Sequence, residues 1–201
     1  MAGGSGFQRR ITGDTYGWII AGNRLGSRAS STANSKTKDK AKVSNAPDFD
    51  FTLGHKKFAA MAFNHAWEFI ELGSRTDEEV RQMLDAAHAS SWHWRHREDA
   101  TPKNRSIADW QLSRVYALAG NGAIALEYGN LSLETASETD LPFFIGYAYE
   151  AIARAHWVLG NLDDARAALA AADESLAQIP ADEDKALLRP DLDEIRMNIN
   201  G

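Results

Sequence analysis

The chain has 201 residues, 44% hydrophobic and 25% charged, with no cysteine. That suits one compact domain with a real core plus a tail, and it excludes a disulfide framework, a thiolate nucleophile and a cysteine-ligated zinc. The formal net charge of −6 is unevenly spread. Residues 1–48 hold eight Lys/Arg against three Asp and the remainder fourteen against twenty-five, an acidic body that argues against nucleic-acid binding by the folded part. No apolar run approaches the ~18 residues of a bilayer span, and 16–21 is too short for a signal core, so the expected setting is the cytoplasm, away from membranes.

Residues 1–48 are rich in Gly, Ser, Thr, Asn and Lys and lack sustained periodicity. They read as a disordered or loosely ordered basic tail, within which Tyr16, Gly17, Trp18, Ile19 and Ile20 can form a short strand. The basic run at 36–42 reads as solvated. The helical-repeat domain is expected over 49–201. A first helix from His55 to Leu72 places Phe58, Met61, Ala62, His65, Phe69 and Leu72 near one face, taken as the inward one. Gly73-Ser74 ends it. Thr76 with Glu79 forms a capping box, and the next helix runs to about Arg97 with Val80, Met83, Leu84, Ala87, Ser91 and Trp94 inward. Thr101-Pro102 breaks it, so 55–98 is a helical hairpin.

The stretch 109–175 is two copies of one unit, offset by forty residues. Leu112 falls on Ile152, Ser113 on Ala153, Arg114 on Arg154, Tyr116 on His156, Leu118 on Val158, Gly120-Asn121 on Gly160-Asn161, Ala125 on Ala165, Ser132 on Ala172 and Glu134 on Glu174. Large apolar residues recur at helical spacing before each Gly-Asn. The glycine takes positive φ and turns the chain, and a small residue follows where two helices approach closely. Beyond the second unit, 180–184 is expected as a loop and 186–199 as a last helix, with Pro190 as an alternative start. That helix would cap the exposed apolar face of the final hairpin.

These landmarks resemble the tetratricopeptide repeat. In that family a Leu and a small residue, an aromatic, a Gly turn and an Ala follow one another; here they are Leu112, Ser113, Tyr116, Gly120 and Ala125, then Ile152, Ala153, His156, Gly160 and Ala165. The unit is longer than the usual repeat of about 34 residues, His156 stands at the aromatic position and Gly129 at a usually bulky one. The chain also resembles a family of uncharacterised bacterial helical proteins. The resemblance runs through Ala-Ala-His-Ala-Ser-Ser-Trp-His-Trp at 86–94, Leu-Ser-Arg-Val-Tyr at 112–116 and Tyr-Glu-Ala-Ile-Ala-Arg-Ala at 149–155, over about 50–195. It implies a tetratricopeptide-like fold and no established activity. The expected architecture is therefore all-α: stacked antiparallel helical hairpins in a right-handed array of about seven helices.

Two groups of residues could carry function. Arg114 and Arg154 occupy equivalent places on successive first helices of the hairpins, which in the tetratricopeptide family line the concave, ligand-facing surface. With Trp110, Glu150 and Trp157 they could form a groove that clamps a carboxylate or acidic peptide. The competing reading is a structural ion pair, since Glu150 is i,i+4 to Arg154 in the favourable orientation. The second group is the cluster His88, His93 and Trp94, with His96 beside it. His65 and Glu68, i,i+3 on the preceding helix, could join His88 and His93 as a zinc, iron or manganese site. Simple histidine hydrogen bonding at a helix interface is the stronger reading, so no metal and no cofactor are expected. No nucleophile elbow, phosphate loop or dinucleotide fingerprint is present. The leading expectation is a non-enzymatic scaffolding module that binds a protein or peptide, acidic by preference, along the groove of the first helices. The alternative is a metal-binding enzyme or sensor. Association with a second copy through Trp92, Trp94 or the last helix is a third.

Overall fold

The computed structural model describes residues 50–200 and two dipeptide strands, β1 (Arg10–Ile11) and β2 (Trp18–Ile19). The strands pair antiparallel, Arg10 with Ile19 and Ile11 with Trp18, and β1 lies beside the first helix. The short strand expected within 16–20 corresponds to β2, while the solvated basic run at 36–42 and the rest of the tail expected to be disordered concern residues outside those described. Every other regular element is helical: α1 Phe51–Ile70, α2 Asp77–Arg95, α3 Pro102–Leu118, α4 Gly122–Ser137, α5 Pro142–Leu159, α6 Leu162–Gln178 and α7 Asp182–Asn200. This is an all-α array. Its short links make consecutive helices antiparallel neighbours, and α3 also packs on α5, and α5 on α7.

Local chemistry sets the helix ends. The Asp50 carboxylate accepts from Leu53 N at the start of α1 (2.9 Å). Thr76 and Glu79 form the reciprocal capping box of α2, with Thr76 N donating to Glu79 Oε2 (2.7 Å) and Glu79 N to Thr76 Oγ1 (3.3 Å). Pro102 and Pro142 open α3 and α5 at their first position, where a missing N–H is harmless. The repeat is visible in single bonds. Gly120 and Gly160 share a φ of +77°, and beyond them Asn121 N donates to Tyr116 O and Asn161 N to His156 O, each at 2.9 Å.

Small residues let helices close up. Ser113 Oγ donates to Ala125 O across α3 and α4 (2.7 Å), and the equivalent Ala153 and Ala165 are both fully buried. A methyl on Gly129 would sit 3.1 Å from Ile152 Cγ1 and 3.3 Å from its backbone nitrogen. The bulky side chain usual at that position is thus replaced by contact between α4 and α5 themselves.

Two expectations are corrected. α7 begins at Asp182 rather than after a loop to 184, and Pro190 lies inside it. More consequentially, α1 is turned the other way. Its buried residues are Gly54, Ala59, Ala60, Phe63, Ala66, Trp67 and Ile70, whereas of the expected face Phe58, Met61, His65 and Leu72 are exposed, Ala62 is half-buried and Phe69 packs against the core. Both stripes of α1 are apolar at helical spacing, and the one carrying Phe63, Trp67 and Ile70 is bulkier and wins the core. On α2 the inward residues Met83, Ala87, Ser91 and Trp94 are buried as expected.

Candidate functional site

Four of the five groove residues converge, but on one another. Glu150 on α5 is fully buried. Its carboxylate accepts from the Trp110 indole (2.9 Å) and Arg114 Nη1 (3.1 Å) on α3, and from Arg154 Nε (2.8 Å) one turn along α5. α7 completes the ring. Glu194 Oε2 accepts from Arg154 Nη2 (3.1 Å) and more weakly from Arg114 Nη2 (3.5 Å), and Asp191 Oδ1 stands 3.8 Å from Arg114 Nη2. The side chains of Arg114 and Arg154 retain only 11% and 2% exposure. The two guanidiniums are therefore neutralised and capped by carboxylates of the same chain, and they present no open clamp. Trp157 is half-buried against the main core. Asp191 and Glu194, which sequence reasoning passed over, could have been noticed as an i,i+3 acidic pair on the last helix.

The electrostatics follow from burial competing with pairing. Burial opposes ionisation of Glu150, but Arg154 and Arg114 outweigh it and hold the carboxyl below its ordinary range. Glu194 is held low against the same penalty by the same two arginines. Burial and then Arg154 push the Arg114 guanidinium down. Asp109, paired with Arg95, is the opposite case, its pKa raised because burial outweighs the partner.

The histidines do not gather as the four-residue metal alternative requires. His65 pairs with Glu68 on the solvent side of α1 (3.1 Å). His88 shares a hydrogen bond with the Tyr116 hydroxyl (2.8 Å) and faces the stacked rings of Tyr116 and Tyr128. Trp94 is a core anchor with the Arg97 guanidinium 4.6 Å above its ring. His93 instead meets His55, Nδ1 to Nδ1, at 3.0 Å. His55 was missed because it is 38 positions away; only the hairpin register brings it across. Burial, then His55 and His96, lower the pKa of His93. Among the described residues no three His, Cys, Asp or Glu form a metal-holding group.

His55 and His93 sit in a larger surface feature. Phe58 lies 5.4 Å from the His93 ring, Trp92 5.3 Å from His55, and His96 stacks on Trp92 at 4.0 Å. Phe58, Met61 and Trp92 are 45%, 65% and 52% exposed. Lys56 and Lys57 lie on the same helix, which carries no acid between Phe51 and Trp67. The open end of the first hairpin is thus aromatic, with Lys57 exposed on it and Lys56 near Asp99.

Elsewhere, Ser106, Ile107, Trp110, Phe144 and Tyr147 line a small apolar cleft that a single water would fill. No described helix is long and apolar enough to cross a membrane. No protein-family model, curated protein or solved structure matches this chain.

Proposed function

We propose that this chain is a non-enzymatic interaction module whose helical array displays a docking surface at the open end of its first hairpin, formed by Phe58, Met61 and Trp92 with Lys57. The observation that carries the reading is the pair of apolar stripes on α1. One is used by the core, and Phe58 and Met61 of the other are left in solvent beside an exposed tryptophan. Large exposed apolar and aromatic side chains grouped in this way mark recognition sites. The occupant is a peptide segment with apolar or aromatic anchors and flanking carboxylates. The anchors meet Phe58, Met61 and Trp92, and a flanking carboxylate meets the exposed Lys57. The buried arginines serve the frame: they fix α3, α5 and α7 relative to one another and so keep the array rigid. The cysteine-free sequence is in keeping with a cytoplasmic setting.

Peptide-display selection on the full chain tests this. The expected result is an enriched acidic consensus with one or two apolar anchors, whose binding is lost in a Met61→Ser/Trp92→Ser variant of unchanged helicity. A consensus that binds that variant as well as the parent chain refutes the assignment.

A further inference from the structure

The contact between His55 and His93 supports more than a hydrogen bond. His55 stands on the second turn of α1 and His93 on the last turn of α2, and their Nδ1 atoms face each other at 3.0 Å. Neither imidazole is paired with a carboxylate among the described residues, unlike His65 with Glu68 and His156 with Asp164.

Two facing nitrogens at this separation have two ways to avoid lone-pair repulsion. One ring carries its proton on Nδ1 and donates to the other, or both carry the proton on Nε2 and turn their Nδ1 lone pairs toward a shared cation. Metal–imidazole bonds are about 2.0–2.1 Å long. Two nitrogens 3.0 Å apart then subtend roughly 90° at the ion, the cis angle of a square-planar or tetragonal centre. A tetrahedral centre with the same bonds would hold them about 3.3 Å apart. Tetragonal nitrogen–oxygen coordination is the preference of Cu(II) and Ni(II).

We infer that His55 and His93 form a two-imidazole site for Cu(II) or Ni(II), with water completing the coordination, which pins the first turns of α1 to the last turn of α2. The surroundings favour it. His96 donates through Nδ1–H to the Trp92 carbonyl (2.7 Å), and its ring stacks on the Trp92 indole, which holds the rim of the site in place. The inference does not depend on the partner proposed above, because the ligands are the chain's own side chains and the test uses the metal alone.

Trp92 supplies the readout. It is exposed and its ring centroid lies 5.3 Å from that of His55, close enough for bound Cu(II) to quench its fluorescence. Copper chloride would be titrated into the tag-free full chain, with the nitrogen hyperfine pattern of the copper spectrum recorded by electron paramagnetic resonance. The expected result is saturable quenching at one ion per chain and a two-nitrogen spectrum. Both would be lost in His55→Ala and in His93→Ala and retained in His65→Ala and His88→Ala, with circular dichroism showing all four variants folded. Quenching that fails to saturate, or that survives both His55→Ala and His93→Ala, overturns the assignment. So does equal loss in the His65 or His88 variant. Should either ligand variant lose helicity, a rise in the thermal midpoint of the parent chain with nickel chloride, absent in His93→Gln, decides in its place, and no rise overturns the site.

Discussion

Removing the Glu150 carboxylate tests the ionic frame most sharply. Glu150 is fully buried and accepts three hydrogen bonds, two of them from guanidiniums. In Glu150→Ala the Trp110 indole loses its bond to the carboxylate, and Arg154, at 2% side-chain exposure, is left with Glu194. Breaking a buried ion pair from one side costs about 3–5 kcal/mol, because a charge remains desolvated and under-paired. Loss of the indole hydrogen bond adds about 0.5–1.5 kcal/mol, while Glu194 and Asp191 return part of the total. The expected loss is therefore about 3–5 kcal/mol, or roughly 10 °C in the thermal midpoint at this size. Urea unfolding followed by circular dichroism reads it directly. A loss below about 1 kcal/mol would mean that the cluster behaves as a solvated surface network, and the arginines would again be candidates for binding an external carboxylate.

Three further outcomes follow from the same contacts. Glu194→Gln, at a carboxylate 45% exposed, should cost no more than about 1 kcal/mol, far less than Glu150→Ala in the same assay. Stability should also fall in acid. Glu150 and Glu194 have depressed folded-state pKa values, so their contribution is complete above their unfolded values near 4.3 and is lost as pH drops through the folded ones. Asp109, with its raised pKa, works in the opposite direction and offsets part of the fall. Urea midpoints at pH 5, 4 and 3 should show the decline, and Glu150→Gln should flatten it; an unchanged decline in that variant would be inconsistent with the assignment. Gly129→Ala gains about 1 kcal/mol of helix propensity but drives a methyl to 3.3 Å from the Ile152 backbone. Overpacking against main chain costs about 1–3 kcal/mol, so the variant should be net destabilised, and a raised thermal midpoint would contradict the close α4–α5 approach.

Much of the helical scaffold was legible because its signals are local. The forty-residue offset, the Gly-Asn turns, the Thr76 capping box and Thr101-Pro102 at the start of α3 all act within a few residues of where they are read. What failed was choosing between faces. α1 has two apolar stripes, and periodicity ranks their phase without saying which meets α2 and α3. The outcome depends on the volume of Phe63, Trp67 and Ile70 against the rest of the core. The arginine pair was found because it repeats, but its partners Asp191 and Glu194 belong to α7, beyond the repeat, where no internal comparison could reveal them. His93 was singled out through its neighbours in sequence, while the partner that matters, His55, is set by how α1 and α2 pack. Each of these misses turns on long-range packing, although the i,i+3 spacing of Asp191 and Glu194 was present along α7.

The central claim is that recognition occurs on the first hairpin and that the arginine cluster is structural. Hydrogen–deuterium exchange of the full chain, with and without a peptide enriched by display, tests both halves at once. The account predicts new protection confined to 51–65 and 88–97, with exchange through α3 and α5 unchanged. Protection concentrated at 110–118 and 147–157 instead would place the ligand over the arginines and contradict it.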